Sequence, residues 1–356
     1  MGTLAVACFS LSLWVTACGD DDKAATDVAD TAPDTRVDTT AETQVETTPE
    51  TTPDTEDNEA AKIERGRYII ENVAGCPDCH TARKADGSFD TSKKLAGVDC
   101  FVDIDPTNPD FGCVSTPNLT NHATGLMNRT DSQIKDMFQK GVRPDGKFLN
   151  SFMPYWVTGN INEADADAMV TYLRSTTGVD HTVSPNQAPW TPVAAAAPVV
   201  DLSTIPMPRA DYSDKAAAMR GRYLAANIGS CLDCHTQATA PGSAEPKVWA
   251  KAFQGSEPFP RDAFGLPPFL PETIYSANLT PHASGLAGWT VADVKKALKE
   301  GVSKDGTLVC PPMPSGPNSA FGGLSDADAT DIGHFIVSLE AQENVLPNAC
   351  SIPAGP

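Results

Sequence analysis

Apolar positions recur with a helical period in six stretches of this chain, and no stretch alternates convincingly with the period of two that a half-buried strand needs. Two of the six are short amphipathic runs, Lys62 to Asn72 and Asp214 to Ile228. Two more start behind Thr130 and Thr290 and stop at Gly141 and Gly301, residue types that cap the two ends of a helix. The last two, Asn162 to Ser175 and Ser325 to Leu339, read as terminal helices. The pattern predicts an all-α protein.

The six helices fall into two sets of three because the chain contains one repeat, twice. Arg65-Gly66-Arg67-Tyr68 aligns with Arg220-Gly221-Arg222-Tyr223 at an offset of 155 residues, and Cys76-Pro77-Asp78-Cys79-His80 aligns with Cys231-Leu232-Asp233-Cys234-His235 at the same offset. Asn118-Leu119-Thr120 and Met153-Pro154 recur as Asn278-Leu279-Thr280 and Met313-Pro314 at 160, and Glu163 to Ala166 recurs as Asp326 to Ala329 at 163. Two tandem domains are predicted, residues 62–178 and 211–350, joined by a Pro- and Ala-rich linker over 179–210.

The 356-residue chain carries a net charge of −20, and −12 of it lies between residues 19 and 60. The remainder is moderately acidic and compatible with an ordinary globular protein. A grip on nucleic acid needs a cationic face, which this composition excludes. The acidic stretch, rich in Asp, Glu, Thr, Ala and Pro, has no apolar period and predicts a disordered tether over 18–61 with a root-mean-square span of roughly 35 Å. Before it, Leu4 to Val15 is too short to cross a bilayer, for which about 20 residues are needed, and reads as a signal peptide over residues 1–17. The segment ends in Val15-Thr16-Ala17-Cys18, similar to a bacterial lipobox. Cys18 is the expected lipid anchor, on the periplasmic side of a bacterial membrane.

Two thiols three positions apart can reach the two vinyl groups of one haem, and the following His then falls on the iron. Cys76, Cys79 and His80, and again Cys231, Cys234 and His235, fit this attachment, predicting two covalently bound haem c groups with His80 and His235 as iron ligands. The competing uses of the motif are a thioredoxin-like pair or half a zinc site. Met153 and Met313 are the candidates for the second axial positions, since they recur in register and precede a helix both times. His122 and His282, also in register, compete with them, whereas His181 and His334 have no counterpart.

With these motifs the chain resembles tandem class I cytochromes c, such as the cytochrome subunits of membrane-bound bacterial dehydrogenases. The resemblance covers residues 62 to about 340 and rests on the GRYI and GRYL runs, both CxxCH motifs, both Asn-Leu-Thr loops, GLAGWT, both Met-Pro pairs and the last helix. It implies a close crossing of first and last helices at Gly66 with Tyr172 and at Gly221 with Phe335. It also implies that Asn118, Asn278 and Trp289 lie near haem propionates. The first copy has Arg129 where the second has Trp289, and Arg129 either pairs with a propionate or points into water.

Four cysteines remain beside the motifs, Cys8 and Cys18, and they allow three pairings. The local one, Cys100 with Cys113 and Cys310 with Cys350, keeps each bridge in its own domain. The expected function is electron transfer between a periplasmic or membrane dehydrogenase and a cytochrome or oxidase of the respiratory chain, more a carrier than an enzyme. A dihaem peroxidase is the alternative, and it would keep one iron open for peroxide.

Overall fold

The computed structural model describes residues 55–103, 108, 112–239, 247–347, 350 and 352–353. The signal-peptide segment, Cys18 and the acidic stretch up to residue 54 lie outside the described residues. In the first repeat α1 (Thr55–Tyr68) runs into one π-helical turn, Ile69–Val73, and then into α2 (Cys76–His80). The strands β1 (Val98–Val102) and β2 (Val114–Thr116) follow, then α3 (Asp131–Lys140), the short α4 (Tyr155–Thr158) and α5 (Glu163–Ser175). The second repeat restates this plan with α6 (Lys215–Tyr223), a π turn at Leu224–Ile228, α7 (Cys231–Cys234), β3 (Pro258–Pro260), β4 (Thr273–Tyr275), α8 (Val291–Glu300) and α9 (Asp326–Val337). The first helix starts at Thr55, inside the stretch read as tether, because the helical run extends ahead of Lys62.

Local chemistry explains the helix ends. The Thr130 hydroxyl accepts from the Gln133 backbone N–H while the Gln133 side chain accepts from that of Thr130, and Thr290 and Asp293 make the same reciprocal cap on α8. Gly141 and Gly301 close these helices at φ 67° and 68°, where a side chain would be strained. Asn162 and Ser325 cap α5 and α9.

The first helix of each repeat packs on the last, α1 on α5 and α6 on α9. Gly66 and Gly221 make the crossings possible, since a Cβ on either would collide with the carbonyl of Ala168 or Asp331. The Tyr172 Cβ lies 2.9 Å from where a Cβ on Gly66 would stand, as the resemblance implied. At Gly221 the closest approach is to the Asp331 and Ile332 backbone instead, and Phe335 packs edge-on against Phe253 with ring centroids 5.2 Å apart.

The all-α expectation needs one correction: each repeat carries a small antiparallel ribbon between its CxxCH motif and its Asn-Leu-Thr loop. Val98 pairs with Thr116 and Val102 with Val114 around an irregularity, while Phe259 pairs with Ile274. These strands escape a periodicity search because they are three to five residues long, β1 does not alternate in burial, and β3 has proline at both ends. Disulfides join Cys100 to Cys113 and Cys310 to Cys350, the local pairing.

The larger apolar core runs through both repeats, from Ile69, Ile70 and Val73 to Leu224, Ile228 and Phe335, and a smaller one gathers Tyr155, Trp156 and Val157. The segment 179–210 is irregular but packed: Val193 pairs with Phe148, the Ala197 N–H donates to the Tyr155 hydroxyl at 2.7 Å, and Val200 and Ile205 are buried. The segment also meets the second repeat, since the Arg222 guanidinium donates to the Leu202, Ile205 and Pro206 carbonyls.

Candidate functional site

Each CxxCH motif follows a π turn and one residue in the left-handed region, Gly75 at φ 63° or Ser230 at φ 54°. The sharp turn starts the short α2 or α7, in which cysteines three positions apart share one face. The following histidines are buried. His80 Nδ1 lies 2.9 Å from the Pro117 carbonyl and His235 Nδ1 2.8 Å from that of Ala277. A carbonyl only accepts, so the ring proton is on Nδ1 and the Nε2 lone pair is left for a metal. Burial holds both imidazoles below the usual histidine range, which favours this neutral form.

Cys76, Cys79, Cys231 and Cys234 are unpaired, although the other described cysteines form disulfides. Burial pushes the thiols of Cys76, Cys79 and Cys231 up to about 12 and raises that of Cys234 as well. Unpaired thiols at this spacing, followed by a histidine, are what thioether attachment to a haem requires.

Met153 and Met313 occupy corresponding turns, each half-buried against the common core. The competing histidines are engaged in their own loops. His122 Nδ1 accepts the Thr124 N–H at 3.2 Å, and His282 Nδ1 accepts the Ser284 N–H at 3.1 Å. In a neutral ring this puts the proton on Nε2, the reverse of His80 and His235, so neither nitrogen offers a free lone pair. His181 instead faces the Ala96 carbonyl and Asp99, and His334 the Tyr212 hydroxyl.

Asn118 and Asn278 are buried and close the Asn-Leu-Thr loops. The Asn118 amide donates to Thr124 Oγ1 and to the Val179 and His181 carbonyls, and its oxygen accepts from the Thr120 N–H and hydroxyl. Asn278 does the same with Ser284, the Gln342 carbonyl and Thr280. These bonds tie each Asn-Leu-Thr loop to the chain that follows the last helix of its repeat. Arg129 is exposed, whereas Trp289 is half-buried against the core.

Sequence reasoning missed one feature of the second site. The Lys247 side chain is 2% exposed and its ammonium lies 3.1 Å from Asp233, inside the motif, and 3.3 Å from Glu257. In the first repeat Asp78 has only the more exposed Arg83, at 3.4 Å, and burial pushes its carboxyl up to about 6. A lysine flanked by no apolar period was the available signal, but nothing in the sequence joins it to two carboxylates.

Residues 63–177 match the cytochrome c family. The first repeat is a cytochrome c domain, a type that holds haem c covalently, and its donor set fits that group: two unpaired, half-buried thiols on one helical face and a histidine with its Nδ1 on a carbonyl, which leaves Nε2 for a metal. Over 293 residues the chain is 25% identical to one of the subunits of nicotinate dehydrogenase from Pseudomonas putida, covering 81% of this chain and 22% of the relative. It is 24% identical over 311 residues to the cytochrome c subunit of a quinone alcohol dehydrogenase from Gluconobacter oxydans, covering 84% and 57%. It is 33% identical over 120 residues to the gluconate 2-dehydrogenase cytochrome c subunit of Pantoea cypripedii, covering 33% and 22%. The chain thus spans between about a fifth and somewhat over a half of these relatives' lengths. Among the described residues no helix is long and apolar enough to cross a membrane.

Proposed function

We propose that this chain is a two-haem electron-transfer protein that accepts electrons from a dehydrogenase and hands them to a cytochrome or oxidase of a respiratory chain. The observation that carries the reading is the repetition of one donor arrangement: a buried histidine with its proton fixed on Nδ1 beside two unpaired thiols, at His80 and again at His235. Haem bound there supplies a one-electron couple at its iron. Cys76 and Cys79, and Cys231 and Cys234, would hold the two groups covalently. His80 and His235 would be the proximal ligands, and Met153 and Met313 the distal ones.

The chain's own groups exclude water and fix orientation. The Pro117 and Ala277 carbonyls orient the two imidazoles, and Asn118 and Asn278 hold the loops that carry those carbonyls. With a histidine and a methionine each, both irons would have no open place for peroxide, which separates a carrier from a peroxidase. The dehydrogenase names of the relatives support the donor side. Lipidation at Cys18 and a periplasmic position complete the proposal. Intact mass with peptide mapping tests it: two haems per chain, one on each motif, are expected, and one haem, or rapid peroxide turnover by a five-coordinate site, would overturn it.

A further inference from the structure

The two repeats are joined by a reciprocal device. Tyr68, at the end of α1, donates to Asp328 at 2.6 Å and accepts the Ser325 N–H at 3.0 Å. Ser325 is the N-cap of α9 in the other repeat and Asp328 its third residue. Tyr223, at the end of α6, donates to Asp165 at 2.8 Å and accepts the N–H of Asn162 at 3.2 Å and its amide at 2.6 Å. Asn162 and Asp165 hold the same two positions on α5. Each tyrosine hydroxyl therefore sits between an N-cap and the third residue of the opposite terminal helix, where a capping box would close on itself.

The sequence offsets make this an exchange between equivalents, Tyr68 with Tyr223 at 155 and Asp165 with Asp328 at 163. A second exchange follows it. The Asn72 side chain packs over Gly323, and its counterpart Asn227 donates to the Asn160 carbonyl at 3.2 Å. Between these clamps the two turns that lead into the CxxCH motifs meet. A Cβ on Gly229 would lie 3.4 Å from the Val73 carbonyl, and one on Gly75 3.4 Å from Ala320, in the turn that precedes the last helix of the other repeat.

We propose that Tyr68 and Tyr223 are positioning residues that clamp the two CxxCH turns against each other, so that an electron reaching one site passes to the other inside the same chain. This rests on the two-haem reading. The step is a transfer of one electron: the site on one motif is oxidised as the site on the other is reduced, with no bond made or broken and no proton moved. The arrangement lets an electron arrive at one site and leave from the other without an outside mediator.

The test uses the full-length protein with its haem attached. After a brief flash reduces a small fraction of the sites, redistribution of the electron between the two sites is followed in the visible spectrum. The rate is expected to be first order and independent of protein concentration, and to fall at least tenfold in the double variant Tyr68→Phe/Tyr223→Phe while haem content and the oxidised spectrum stay as in the parent. The single variants keep the test open should the double variant fail to fold, and the reciprocal geometry predicts equal slowing in each. A rate that rises in proportion to protein concentration, or one that the variants leave unchanged, would overturn the inference. One haem per chain would overturn instead the two-haem reading beneath it.

Discussion

Lys247 places its ammonium 3.1 Å from Asp233, a residue of the second CxxCH motif, and does so with a side chain 2% exposed. Two carboxylates, the half-buried Asp233 and the buried Glu257, face this one cation. Desolvation alone would depress the lysine, but the two carboxylates outweigh it and keep it charged. Replacing Lys247 by Met is expected to cost about 3 kcal/mol, because it leaves the buried Glu257 and the half-buried Asp233 uncompensated. Urea unfolding of the haem-loaded protein measures this, and a loss below about 1 kcal/mol would count against it.

Asp165 gives the expected dependence on acid. Burial pushes its carboxyl up, yet hydrogen bonds from Arg65 at 2.8 and 3.0 Å, from Tyr223 at 2.8 Å and from Asn162 prevail and hold it below the usual aspartate range. A folded-state value below the unfolded one means that the carboxylate stabilises fully above the unfolded value of about 3.9 and stops doing so as pH falls through the folded value. The melting temperature of Asp165→Asn should accordingly fall less steeply than the parent's below about pH 4. Parallel curves would contradict the assignment.

At the helix crossings the expected effect is steric. Gly66→Ala and Gly221→Ala each drive a Cβ into a backbone carbonyl that cannot move aside without shifting a helix. Each should cost about 3 kcal/mol. Thermal unfolding checks this, and a neutral outcome at either position would show that the helices can slide apart freely.

The caps of α3 and α8 are weaker and independent. Thr130→Ala and Thr290→Ala remove one acceptor each from the first turn, for an expected loss of about 1 kcal/mol. The two losses should add in the double variant when measured by thermal unfolding, since the caps share no partner.

What the sequence discloses and what it conceals divide along physical lines. Thr130 and Gly141, or Thr290 and Gly301, act on their own helix within a few residues, so residue type alone locates them. The repeat makes Cys76 to His80 and Cys231 to His235 legible, because their chemistry lies in five consecutive positions. The ribbons at Val98–Val102 and Pro258–Pro260 stay hidden because short strands held by a disulfide or by flanking loops need no alternation. Tyr68 and Asp328 are both visible in the repeat, but they stand 260 residues apart, and nothing local says that each repeat caps the other. The sequence marks Asn118 as a loop residue but not its partners, since its amide is spent on Thr124, Val179 and His181, the last two more than 60 residues away.

Met153 and Met313 are proposed to close the two sites, and the near-infrared spectrum of the oxidised, fully loaded protein answers to this ligation. His122 and His282 each have the ring nitrogen that could compete committed to their own loop. The weak methionine-to-iron charge-transfer band is expected at an intensity for two haems, halved by Met153→Ala or by Met313→Ala and unchanged by replacing His122 or His282. A parent spectrum without that band, or one in which a histidine variant removes it, would contradict methionine closure.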